Sequence, residues 1–177
     1  MDIALNILQI TIPALFVLLA TYFTQKQLLK GEAQRRRTEL LRVYSSAITP
    51  IRLQAYERLT LFLERITPDQ LVMRLPCNQL TANQLQSNLL ETIRQENEHN
   101  LSQQLYVGND VWIMVQHAKE SMVQLVNTCA SQLNPEDSGI RLATLLLDTY
   151  HGVDETPIHV AIDLLKREMN EQFGDNQ

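Results

Sequence analysis

IRLQAYERLTLFLERI, residues 51–66, decides the fold. Its apolar positions Ile51, Ala55, Leu59, Phe62 and Ile66 step by four, four, three and four, which keeps them on one face of an α-helix. A half-buried strand would alternate instead, and no stretch of four or more residues in the chain alternates convincingly. Ahead of it, Thr49-Pro50 suits an N-cap followed by the first helical position, so a helix or a kink is expected to begin there. Behind it, Thr67-Pro68-Asp69-Gln70 repeats the start signal as a capping box and opens a short helix that must stop before Pro76.

Further helices follow at short intervals. Thr81 caps a seam of Leu85, Leu89 and Ile93 that fades in the polar run 95–100 and is expected to resume at Leu101 and Leu105. Gly108-Asn109-Asp110 breaks the pattern, with Asn109 or Asp110 as cap of a long helix carrying Val111, Trp112, Val115, Met122, Leu125, Val126, Cys129 and Leu133. Asn134-Pro135 ends it. A leucine-rich helix from about Glu136 stops at Gly152, and Asp154 or Thr156 ahead of Pro157 opens the last, with Ile158, Ala161, Ile162, Leu165 and Met169 inward.

In the opposite direction, the first residues belong to another solvent. From Ile3 to Phe23 there is no charged residue, long enough for a helix to cross the roughly 30 Å of a bilayer core. A cleaved signal peptide would place bases before the apolar run and a small-residue site after it; here Asp2 precedes and Thr21-Tyr22-Phe23 follows. All nearby bases come after the span, so the positive-inside tendency points the body to the cytoplasm. Lys26, Lys30, Arg35, Arg36 and Arg37 are placed to meet anionic lipid headgroups. Asn6 and Gln9 form a polar stripe either near the outer headgroups or against another transmembrane helix. A helix over 32–46 would carry Leu40, Leu41 and Tyr44 onward, with Ala47 and Ile48 beyond it, a region open to self-association.

Composition agrees. Only 5 Gly and 6 Pro in 177 residues argue against turn-dense β folds, and a net charge of −5 removes the simple electrostatic case for nucleic acid. Cys77 and Cys129 lie far apart without CxxC spacing, so neither a disulfide framework nor a zinc site is expected.

The stretch 51–68, the "RL" of Met73-Arg74-Leu75 and HNLSQQLYV at 99–107 ahead of a Trp-containing helix resemble an uncharacterised family of small proteins from Bacteroidota, over nearly the whole chain. The resemblance implies an amino-terminal span and a bacterial membrane address. It carries no assigned activity and no catalytic residues.

Chemistry-bearing motifs are sparse. Glu96–His99 and Asp148–His151 each set a carboxylate and an imidazole on one helix face, as helical di-iron sites do, but such pairs are frequent on exposed helices. His117 and His159 have no nucleophile at useful spacing, and no phosphate loop, HExxH or GxSxG is present. Arg58 and Arg65, with Glu57 and Glu64, repeat at seven residues beside the apolar seam, either as an ordinary charged flank or as a surface for a partner.

The expectation is therefore an all-α protein: a single transmembrane anchor at 1–25, a basic juxtamembrane helix or linker at 26–49, a cytoplasmic helical bundle at 50–172 and a tail at 173–177. It is expected at the bacterial inner membrane, amino terminus out, as a non-enzymatic adaptor or accessory subunit, with Arg58, Arg65 and Trp112 as the contact residues for a protein partner, and with self-association, if any, through Leu40, Tyr44, Ala47 and Ile48. No cofactor and no nucleic acid are expected. The rival is a membrane-anchored metalloenzyme using Glu96, His99, Asp148 and His151.

Overall fold

The structure, a computed structural model, describes residues 48–173 together with Phe16, Leu18, Thr21, Tyr22, residues 24–26 and Glu39. Every regular element among the described residues is helical. By its contacts the chain divides into two compact units, Met1–Thr49 and Pro50–Gln177.

In the first unit the described residues are helical and, apart from partly buried Thr49, exposed. The Thr21 hydroxyl donates to the Leu18 carbonyl at 2.9 Å, and the Lys26 ammonium lies 5.8 Å from the centre of the Tyr22 ring. No helix among the described residues is long and apolar enough to cross a membrane. The expected span lies mostly outside those residues, as do Asn6, Gln9, Lys30, Arg35, Arg36, Arg37, the helix expected over 32–46 apart from Glu39, and residues 174–177 of the tail.

The second unit is a bundle of α1 (48–65, of which 50–65 fall in this unit), α2 (Pro68–Arg74), α3 (Ala82–Glu98), a 3₁₀ turn (Leu101–Leu105), α4 (Asn109–Ser131), α5 (Gly139–His151) and α6 (Pro157–Phe173). α4 is central, packing on α3, α5 and α6, while α2 closes against α5 and α3. One core runs through all six helices, from Leu59 and Phe62 through Leu85, Leu89 and Val115 to Leu146 and Leu165. α1 buries Ala55, Tyr56, Leu59, Phe62 and Leu63, and Ile66 just past its end is buried as well. The buried stripe is thus wider than the expected one, because α1 touches both α3 and α6, and Ile51 is left 45% exposed at its far end.

Four local expectations are corrected. Residues 48 and 49 are already helical, so Thr49-Pro50 does not start α1. Thr67 is the N-cap of α2 but makes no capping box; its hydroxyl donates instead to the Glu64 carbonyl at 2.8 Å, closing the end of α1. Gly108, not Asn109 or Asp110, caps α4. Leu101 and Leu105 do not resume the α3 seam: the chain tightens into the 3₁₀ turn, which leaves both leucines exposed and buries Gln103.

The caps that hold are specific. Thr81 and Gln84 form a reciprocal capping box on α3, Ser138 accepts from Ile140 N–H at α5, and the Thr156 hydroxyl accepts from His159 N–H at 3.3 Å to open α6. The starts of α3 and α5 are laced together: Gly139 N–H donates to the Leu80 carbonyl at 2.8 Å and Ala82 N–H to the Asp137 carbonyl at 2.7 Å. That lacing orders the frame on which α3 presents its carboxyl-terminal half to α1.

Candidate functional site: the cleft between α1 and α3

Where α1 passes the last turns of α3, the helices leave a solvent-open cleft of about 430 Å³. α1 contributes Arg58, Leu61, Phe62 and Arg65; α3 and its end contribute Thr92, Gln95, Glu96, His99 and Asn100. Its size falls in the range of ordinary ligand sites, and its apolar floor of buried Phe62, with half-exposed Leu61 at the rim and charged walls, suits an amphipathic occupant.

Charge in the cleft is unbalanced. Glu96 is shared by two guanidinium groups, Arg65 at 3.3 Å and Arg74 at 3.1 Å, each through a single nitrogen. Arg58 is exposed and has no ion-pair partner among the described residues. Glu57 and Glu64, on the opposite flank of α1, are likewise exposed and unpaired among those residues. His99 Nδ1 lies 2.6 Å from the Gln95 carbonyl, which can only accept, so this nitrogen carries hydrogen and Nε2 remains for another partner.

The expected contact residues are therefore divided. Arg58 and Arg65 line one cleft, while Trp112, on the first turn of α4, is partly buried and packs against the core. The four residues of the metal alternative do not assemble either. Glu96 is held by Arg65 and Arg74, His151 Nε2 meets Asp69 of α2 at 3.2 Å, and Asp148 is exposed. No three His, Cys, Asp or Glu side chains gather among the described residues. Burial pushes both the Cys77 and the Cys129 thiols up from their ordinary range, which lowers their reactivity.

A polar knot went unforeseen. Tyr56 of α1 donates to Glu168 of α6, which also accepts from Gly108 N–H at 2.8 Å, while Arg52 donates to the Tyr106 carbonyl at 3.0 Å and stands 6.0 Å from the Phe173 ring. It ties α1 to the far side of the bundle. Gly108 lets the carboxylate approach: an added Cβ there would meet Glu168 at 2.6 Å.

No curated protein and no solved structure matches the chain. One family model matches residues 2–172, nearly the whole length, and by that match the chain belongs to a family of unknown function, DUF7935.

Proposed function

We propose that the chain is a non-enzymatic helical adaptor or accessory subunit of a membrane-associated complex. In this reading the apolar stretch 3–23 holds it in the bacterial inner membrane, amino terminus outside, and the bases from Lys26 to Arg37 rest on anionic headgroups. The bundle then works by position: tethering raises its effective concentration for other membrane proteins.

The observation that carries the reading is the exposed pair Arg58 and Arg65, on one flank of Leu61, at the rim of a cleft whose cationic charge exceeds its single carboxylate. Arginines beside an apolar floor are characteristic anchors of protein interfaces. The test isolates the full chain from native membranes in mild detergent, with and without Arg58→Glu and Arg65→Glu. Proteins that co-purify with the unaltered chain are expected to be lost from the variant. If each of them stays bound, this surface is not the contact. The tether is checked separately by alkaline extraction of membranes: the chain is expected in the pellet, and recovery in the aqueous fraction overturns it.

A further inference from the structure

The outward face of α1 is complementary to itself. With about 100° between successive residues, Arg58 and Arg65 stand roughly 40–60° to one side of Leu61, and Glu57 and Glu64 roughly 40–60° to the other. Leu61 is 47% exposed and forms the ridge between two grooves, the α1–α3 cleft and a second one of about 270 Å³ between α1 and α6 that Leu53, Glu57 and Met169 help to line. Basic and acidic residues also share heights along the helix, since Glu57 is next to Arg58 and Glu64 next to Arg65, a rise of about 1.5 Å in each case.

From this pattern we infer that the α1 ridge pairs with the α1 ridge of a second copy, side by side, parallel and in register, about a two-fold axis near Leu61. Direction decides it. When two helices pack parallel, opposite flanks meet, and when they pack antiparallel, like flanks meet. The parallel pair sets Arg58 against Glu57 and Arg65 against Glu64 of the other copy, and the symmetry doubles each contact. The antiparallel pair would set arginines against arginines. Parallel packing also brings both amino-terminal ends to the same side, as two copies anchored in one membrane require. The inference rests on the proposed adaptor reading and names the partner of its Arg58/Arg65 surface.

One helix pair buries less than the roughly 1,200 Å² of a typical stable interface. The contact therefore depends on the tether, which confines both copies to one surface. Arg65 divides its guanidinium between Glu96 and the second copy, leaving Arg58 as the less encumbered anchor.

The experiment uses the full chain in lipid vesicles, with Cys77→Ser to silence the partly exposed thiol. Leu61→Cys is compared with Met73→Cys, which is 82% exposed on α2 and away from the ridge. Under a mild oxidant the Leu61→Cys chain is expected to form a disulfide-linked dimer roughly ten-fold faster than the Met73→Cys chain. Charge exchange gives a second readout in the Leu61→Cys background. A chain with Arg58→Glu and Arg65→Glu and a chain with Glu57→Arg and Glu64→Arg are each expected to cross-link poorly alone, and to cross-link with one another when mixed. Equal rates for the two cysteine positions, or no recovery on mixing, overturn the pairing. Loss of co-purifying proteins with unchanged cross-linking would leave the adaptor reading standing and remove only this inference.

Discussion

Tyr56 and Glu168 lie 112 positions apart in the chain, yet the tyrosine hydroxyl donates to the carboxylate Oε1 at 2.5 Å. The bond joins α1 to α6, and the same oxygen accepts from Gly108 N–H ahead of α4. Three elements therefore converge on one buried-edge carboxylate, and the Tyr56 ring meets Phe173 edge-on at 6.3 Å. Tyr56→Phe keeps the ring and removes only the donor. A hydrogen bond to an ionised group contributes about 2 kcal/mol, so the urea midpoint is expected to fall by that equivalent with an unchanged slope. An unchanged midpoint would show that the knot is decorative.

The same contact sets a behaviour at high pH. Burial first, and then the Glu168 carboxylate, push the Tyr56 hydroxyl well above its ordinary value of about 10, and burial raises Tyr150 as well. Above pH of about 10 the unfolded chain gives up these protons while the folded chain holds them, so the unfolded state binds fewer protons and stability falls as pH rises. Below that range the two tyrosines leave stability flat. Denaturant midpoints measured from pH 8 to 11 are expected to show the decline, and Tyr56→Phe is expected to make it shallower, leaving the part set by Tyr150.

Two glycines with similar clashes are expected to differ in cost. A Cβ at Gly139 would lie 2.8 Å from the Cys77 carbonyl oxygen and 2.9 Å from that of Leu80, both fixed backbone in the lacing between α3 and α5. Gly139→Ala should destabilise by about 1–3 kcal/mol. At Gly108 the obstacle is Oε2 at the flexible end of Glu168, and turning it aside weakens, without a backbone shift, the bonds that Oε1 accepts from Tyr56 and Gly108 N–H, at about 1 kcal/mol. The reverse order in thermal unfolding would refute the distinction between yielding and rigid neighbours.

Periodicity made most of the bundle legible. Leu85, Leu89 and Ile93, Val111 and Val115, and Ile158, Ala161 and Leu165 are buried as their spacing predicts, because one face of a helix must leave water. Where the reading failed, a local competitor had prevailed. The Thr67 hydroxyl found the Glu64 carbonyl before it could cap α2, and the 3₁₀ turn rotated Leu101 and Leu105 outward. The Arg58/Arg65 flank was visible as a seven-residue repeat, but the cleft beside it was not, since it depends on where α3 ends against α1. The Tyr56–Glu168 knot was invisible for the same reason: nothing local to either residue announces a partner on another helix.

Leu59 and Leu61, two residues apart on α1, offer the cleanest separation of fold from interaction. Leu59 is fully buried, packed in the core, whereas Leu61 is 47% exposed on the ridge between the two grooves. Leu59→Ala deletes methyl groups that cannot be replaced by water and leaves a cavity, so it is expected to cost about 2–5 kcal/mol. Leu61→Ala removes a side chain already in contact with solvent, and its cost should stay within about 0.5 kcal/mol. The chemistry of the two changes is identical and only the face of the helix differs. Circular dichroism during thermal unfolding should therefore show a large loss for the first and a superimposable curve for the second. A Leu61→Ala chain that unfolds as early as Leu59→Ala would mean that the ridge is covered within the protein, and that α1 has no outward face to offer.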